Sequence, residues 1–473
     1  RAIFFTKEII GFKKGFEEIR LADLEGLIKR LHAKKCSQKE ILSRLIDEIK
    51  IYKDLSDAEA LELANAVFSD TMTAINQRAS KKVADILNYP ECGASMHDLG
   101  VGCRGEGDFF VHRLLAKISD VGVNTILGPG AQDDAGAVKG KHDVIVISVD
   151  GTHSRLTEFP FIAGFHVTRA TMRDVYIKGA KPLALLTDLH LADDGDVGKL
   201  FDFMAGIRTV SKLTGVPLVA GSTLRIGGDM VIGTRFVSCV GAVGVVREPH
   251  LIAARAKVKP GDDIIMTEGA GGGTIATTAI YGGRPEVIME TLNLQFIKAC
   301  ETLMEGNLFK KIHAATDWTN GGLRGDCNEI CKTANVGIKI YEDKLEKLVN
   351  PTVLKMLHDF KIDYLGVSID SLLIFNHPRY SEEILWALRK AKIKCDIVGT
   401  VVDTPKRAEL ISDGEIKSLQ PLYREAAYTK VKKLVGEESP LNKEELMKRT
   451  AKAAQQSIEK SERIIKMLSL REA

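Results

Sequence analysis

Residues 127–138 read LGPGAQDDAGAV, residues 144–152 read VIVISVDGT, and residues 172–182 read MRDVYIKGAKP. Irregular, glycine-containing chain here meets a β-branched, strand-like run and then a helix-like stretch. Acidic residues stand at those junctions, so Asp133, Asp134, Asp150 and Asp174 are candidates to converge at the ends of a sheet. Two carboxylates about 4 Å apart repel by about 4 kcal/mol at an intermediate effective dielectric. Protons or cations must neutralise such a cluster. Mg²⁺ carrying a nucleoside triphosphate asks for a few carboxylates and takes phosphate oxygens as its other ligands. Nucleotide chemistry is therefore the leading expectation.

Outward from this segment the chain changes character twice. From about Met96, glycine is frequent, and the runs VIVISVD, PLALLTDLHL and MVIGTRFVSCVGAVGVV alternate with the helix-like FDFMAGIRTVSKLTG. That alternation predicts an α/β or α+β domain. A break follows at Arg247-Glu248-Pro249, and KPGDDIIMTEGAGGG opens a second such unit that closes with YSEEILWALRKAKIKCDIVGTVV, a helix and then a strand. The flanks read as helical. Leu21, Leu24, Leu27, Ile28 and Leu31 recur at helical spacing, and Ser37 with Glu40 resembles a capping box. Ser56 with Glu59 opens another helix, and the final stretch NKEELMKRTAKAAQQSIEKSERIIKML carries alternating charge around one apolar stripe. The expected domains are a helical extension at 1–95, an α/β domain at 96–247, a second at 248–412, and a helical tail at 413–473.

Composition narrows the function classes. At 473 residues the chain is too long for one ordinary core. A net charge of +3 gives no field for steering a polyanion, so no nucleic acid is expected. Eight cysteines show no paired CxxC spacing, which argues against a zinc site or a disulfide framework and for a reduced, cytoplasmic setting. No apolar run approaches the ~18 residues of a membrane span, and no signal peptide is read.

Each motif has a functional and a plain reading. Gly128, Gly130 and Gly136 let the backbone turn sharply around Asp133 and Asp134, which could ligate a cation or bond their own backbone in a turn. Asp150 ends a strand, where ligands bind in α/β sheets. Asp174, taken alone, reads as a surface charge ahead of a helix C-cap at Gly179. AGSTLRIGGD (220–229) reads as a loop able to present N–H groups to phosphate. Gly269–Thr274 leads into a helix whose N-terminus is an anion site, without the lysine of a Walker A loop. Asp317, in HAATDWTNGGLRGDCNEI, meets another helix start. His153 and Arg155 could touch phosphate or polarise a carbonyl, or be an exposed loop pair.

In this order the motifs resemble the AIR synthetase-like ATP enzymes, the superfamily of thiamine-monophosphate kinase, selenophosphate synthetase and a hydrogenase-maturation dehydratase. The likeness runs from roughly Gly105 to Val402: GEGDFFVHRLL with LGPGAQDDAGAV, VISVDGTH, RATMRDVYIKGAKPLALL, AGST, ATDWTNGGLRGDCNEI, and DYLGVSIDSLLIFNHPRYSEEILWALRKAKIKCDIVGTV. The resemblance implies a two-domain α/β (α+β) architecture and a homodimer whose N-terminal sheets join into a barrel, with ATP and Mg²⁺ near that interface. It implies Asp133, Asp134, Asp150, Asp174 and Asp317 as metal ligands. Gly128, Gly130, Asp133, Asp134, Gly221, Ser222 and Thr223 would hold the nucleotide, and His153 and Arg155 would contact substrate or transition state. Two departures stand out. AGST replaces a GGDT-type motif and lacks its aspartate, and Cys103 with Arg104 stands where selenophosphate synthetases carry a cysteine or selenocysteine with a nearby lysine. The expected function is ATP- and Mg²⁺-dependent phosphotransfer to, or activation of, an oxygen of a small molecule. The alternative is a non-catalytic nucleotide-binding subunit or assembly factor whose helical ends dock a protein partner.

Overall fold

The computed structural model describes residues 21–472, apart from 82, 103, 124, 154 and 320. The chain divides into two units: Arg1–Asn88, Asp188–Asp202 and Gly221–Ser238 form the first, and Tyr89–Thr187, Phe203–Ala220 and Cys239–Ala473 the second.

The first unit is built on helices Leu24–Ala33, Gln38–Tyr52 and Asp57–Ala79. Ser37 and Ser56 start the second and third as the sequence predicts. Each hydroxyl accepts from the N–H three residues on, while Glu40 and Glu59 reach back to the cap N–H. Leu24, Ile28, Ile41, Leu45, Ile49, Ala60 and Ala64 recur at three- and four-residue spacing, so each helix turns one stripe into a core shared with Ile232. Strand Leu21–Asp23 pairs antiparallel with Val231–Gly233. Lys53 donates to Asp193 at 2.5 Å and Asp194 at 2.7 Å, which closes this unit electrostatically.

A five-stranded sheet runs, in spatial order, Gly136–Lys139, Val144–Thr152, Phe236–Val246, Lys181–Leu191 and Leu218–Arg225. Alternation along its second strand separates the faces: Val144, Val146 and Ser148 are buried, while Ile147 and Val149 are 46% and 64% exposed. Helix Pro160–Tyr176 packs on that strand. It crosses helix Gly198–Thr214 backbone to backbone, since a Cβ at Gly164 would stand 2.2 Å from the Phe203 carbonyl oxygen.

A seven-stranded sheet runs Glu415–Ser418, Ala408–Ser412, Gly337–Tyr341, Cys395–Val402, Asp263–Thr267, Leu372–Asn376 and Ile312–Asp317. Its neighbours pair antiparallel except Gly337–Tyr341 with Ala408–Ser412, so this half is α+β rather than a doubly wound parallel sheet. Ile264, Met266, Trp318, Leu323 and Phe375 share its core, and the buried indole of Trp318 donates to the Val367 carbonyl at 2.8 Å.

One local expectation is corrected. Residues 220–225, read as the start of a glycine-rich loop, continue strand Leu218–Arg225 at the edge of the five-stranded sheet. Val219, Thr223 and Leu224 favour extended chain, and an edge strand tolerates glycine. The turn itself comes later, where Gly227 and Gly228 take φ of +61° and +59°. No helix among the described residues is long and apolar enough to cross a membrane.

Candidate active site

The acidic motifs of the second unit are brought together, but with partners the sequence reading did not foresee. After the turn Pro129–Ala131, Gln132 takes a left-handed φ of +49°, which swings Asp133 and Asp134 inward until their side chains are 2% and 3% exposed. Lys178, just beyond helix Pro160–Tyr176, bonds Asp133, Asp134 at 3.2 Å and the Ala315 carbonyl at 3.2 Å. The helix is capped at Ile177 rather than at Gly179, which follows two residues on with a left-handed φ of +78° and turns the chain away just after Lys178. Arg255 supplies the other half. Its backbone N–H donates to Asp133 at 3.0 Å, and its guanidinium to Asp134 at 2.5 Å and to the Gln132 carbonyl at 2.9 Å. The Thr316 hydroxyl donates to Asp134 at 3.1 Å. Burial alone pushes Asp134 upward, yet Arg255 and Lys178 outweigh it and hold this carboxylate well below its ordinary range.

Helix Pro160–Tyr176 carries two further cations one turn apart, Arg169 and Arg173, 2% and 4% exposed in a largely buried helix. Arg173 pairs with Asp317 at 2.6 Å and Asp370 at 2.8 Å. Arg169 also pairs with Asp370, and it ties down three backbone carbonyls: Gly271 at 3.0 Å, Thr291 at 2.9 Å and Asn293 at 2.8 Å. Asp370 itself takes a left-handed φ of +59°, uncommon for a residue with a side chain. Burial pushes it up, but Arg173 and Arg169 pull it down to about 2. His166, one turn before Arg169 on the same helix, is driven the other way: burial and then Arg169 lower it to about 3, so it is neutral.

Asp150 and Asp174 lack this compensation. Burial pushes Asp150 up to about 6; Arg173 opposes the rise and Asp317 adds to it. Burial and then Asp150 and Asp317 drive Asp174 well above the ordinary carboxylate range. Its hydrogen bond comes from a neutral donor, the Ser148 hydroxyl at 2.8 Å. Read alone as a surface charge, Asp174 is instead half-buried, because its helix packs on strand Val144–Thr152. Asp317 is also pushed up by burial, with Arg173 opposing.

The cluster therefore sets seven aspartates (133, 134, 150, 174, 317, 326 and 370) against five basic side chains (Arg104, Arg169, Arg173, Lys178 and Arg255). Counted as formal charge these aspartates exceed the basic side chains by two, with Glu329 a further acid near Arg255, and burial pushes Asp150, Asp174, Asp317 and Asp326 toward the neutral form. Among the described residues, no group of three His, Cys, Asp or Glu side chains forms a ready metal cage. Two carboxylates are nevertheless what Mg²⁺ asks for when phosphates fill its other positions. Asp150 and Asp174 fit that role. Asp133 and Asp134 are already bonded to Lys178 and Arg255.

The other expected residues lie elsewhere. Gly128 is extended, and Gly130 has open space where a Cβ would stand. Arg155 is exposed and stacks 3.3 Å from the Tyr281 ring centroid, and His153 is exposed. Gly221, Ser222 and Thr223 sit exposed on the edge strand and belong to the first unit. Cys103 lies outside the described residues. Sequence reasoning missed Arg169, Arg173, Lys178, Arg255, Asp326 and Asp370. The one available signal was the i, i+4 arginine pair in a largely apolar helix, which requires buried acids opposite.

Comparison with known proteins agrees with this layout. Residues 132–246 match the family model described as AIR synthase related protein, N-terminal domain, and residues 259–411 match the corresponding C-terminal domain. The chain is 46% identical over 455 residues to an uncharacterized protein of Methanocaldococcus jannaschii, covering 95% of this chain and 99% of the relative. Among solved structures, a HypE–HypF complex matches at 23% identity and a TM-score of 0.53, over 66% of this chain and 99% of the other. A ThiL structure complexed with AMPPCP and TMP matches at 15% identity and 0.51, over 67% and 96%. At these identities the solved structures share the mixed α/β fold.

Proposed function

We propose, on the premise that this chain belongs to the AIR synthase related protein family, that it uses ATP and Mg²⁺ to phosphorylate, or activate by phosphorylation, an oxygen of a small-molecule metabolite. The observation that carries the reading is the pair Asp150 and Asp174, neighbouring carboxyls on a strand and on the helix packed against it, to which no lysine or arginine is bonded among the described residues. The AMPPCP of the ThiL structure, a protein with the same fold, supports a nucleotide as the anion that arrives there.

In this proposal Asp150 and Asp174 hold Mg²⁺, which supplies charge neutralisation to the phosphate oxygens. Asp133 and Asp134, pinned by Lys178 and Arg255, fix the turn carrying Gly128 and Gly130 against the phosphates. Asp317 adds negative charge beside the metal ligands while Arg173 keeps it in place. His153 and Arg155 are retained as substrate contacts. Phosphoryl transfer asks the protein mainly for positioning and charge, which a rigid network of buried ion pairs provides. The catalytic core is proposed to span 96–247 and 248–412 together with the edge strand Glu415–Ser418, with 1–95 and the chain after that strand as extensions able to dock a protein partner. A homodimer is part of the reading. Ile147, Val149, Leu183 and Val219, each between 46% and 64% exposed, leave an apolar sheet face that a second copy would cover.

The test is Mg²⁺-dependent turnover of ATP by the purified chain across a panel of hydroxyl and carboxylate acceptors. Asp150→Asn and Asp174→Asn should each lower turnover at least about 100-fold. Undiminished turnover in both would sink the assignment. A second reading, a nucleotide-binding subunit without turnover, is favoured by the internal neutralisation of Asp133 and Asp134. Tight, Mg²⁺-dependent ATP binding with no turnover under any acceptor would select it.

A further inference from the structure

Beside the ion-pair network lies a cleft of about 460 Å³, within the size range of small-molecule sites. One wall is helix Glu106–Ser119, which presents Phe109, Leu115 and Ile118; the opposite wall is Pro129 and Gln132 with the paired Asp133 and Asp134. Phe109 is buried at the base of this wall, while Leu115 and Ile118 are 55% and 39% exposed and are not spent on the core. Arg104 stands at the head of this cleft and is held there by its backbone. It takes a left-handed φ of +53°, its N–H donates to Asp108 at 2.7 Å, and its carbonyl oxygen lies so close to Gly321 that a Cβ there would be 2.3 Å away. Non-glycine residues held in that conformation concentrate at ligand sites. The guanidinium spends one nitrogen on Asp326, at 3.2 Å, and its buried Nε–H has no hydrogen-bond partner. The acids on the far wall are bonded to Lys178 and Arg255, and Glu329, which also lines the cleft, lies 3.9 Å from Arg113 and 3.5 Å from Lys332, so Arg104, paired with Asp326, keeps its Nε–H for an incoming anion.

We propose that this cleft is the acceptor pocket and that it takes a molecule with an anionic group, phosphate or carboxylate, on an apolar ring or chain. The anion pairs with Arg104 through charge-assisted hydrogen bonds, and the apolar body lies along Phe109, Leu115 and Ile118. This deepens the reading of the adjoining site and rests on it.

Ligand-observed saturation-transfer NMR on the full chain tests it, with phenyl phosphate, benzoate and neutral benzyl alcohol as probes and Mg²⁺·ATP as competitor. Phenyl phosphate or benzoate should bind at least about tenfold more tightly than benzyl alcohol. The stronger of the two anions identifies a phosphomonoester or a carboxylic acid as the natural class. Arg104→Met should reduce binding about tenfold, and Leu115→Asp, a change at an exposed position, should do the same without disturbing the fold. Equal binding of benzyl alcohol, unchanged anion binding in both variants, or displacement of the probe by Mg²⁺·ATP overturns the proposal. Failure of the nucleotide reading is separable: it shows as no thermal shift of the wild-type chain with Mg²⁺·ATP, whatever the probes do.

Discussion

Asp370 and Asp150 belong to one cluster, yet their carboxyls are shifted in opposite directions. Both lose solvation, which raises a carboxylate's pKa. Asp370 is bonded by two guanidinium groups and is pulled down to about 2, whereas at Asp150 burial outweighs Arg173, Asp317 adds to it, and the carboxyl rises to about 6. The difference teaches that a cluster of acids is not by itself a metal site. Where the fold supplies arginine or lysine, the acids are structural ties; where it withholds them, a cation or proton must come from outside.

The largest effect should come from removing a cation on the compensated side. Arg173→Met leaves Asp317 unpaired and Asp370 with one partner, and should cost about 3–5 kcal/mol in chemical denaturation. A loss under about 1 kcal/mol would mean that the two halves do not differ. Asp370→Asn should cost about 2 kcal/mol at pH 7. Its folded pKa lies below the ordinary value, so its stabilisation is present above about pH 4 and fades as pH falls toward about 2. Asp150→Asn should act in the opposite direction and stabilise the metal-free chain at pH 7 by about 1–2 kcal/mol. Its folded pKa is raised, so the native state loses stability as pH climbs from about 4 to about 6, and the variant's advantage should vanish below about pH 4. Denaturation in EDTA across that range checks the sign. The smallest effect is Ser148→Ala, which removes one hydroxyl donor from Asp174 and should cost about 1 kcal/mol or less. A cost near that of Arg173→Met would make Ser148 as strong a tie as a guanidinium.

Much of this was legible before any coordinates. The capping boxes at Ser37 and Ser56, the helix-then-strand pattern of 381–402 and the alternation of Val144–Val149 all appear as read. The AGST segment misled because its glycine and hydroxyls match a loop, while its β-branched neighbours and an open sheet edge decide for strand. Asp174 misled because position in a helix does not say which face is covered. Arg255, directly after the apolar run at 251–254, carried no local mark of the pair it joins at Asp133 and Asp134.

The sequence by itself determined the capped helices, the strand periodicity and the positions of the acidic motifs, because those depend on neighbours within a few residues. Only tertiary structure decided which aspartates are neutralised from within. Arg169 and Asp370, 201 positions apart, share a bond that depends on how a helix and a distant loop pack, and with solvent excluded Arg173 and Arg169 together keep Asp370 ionised.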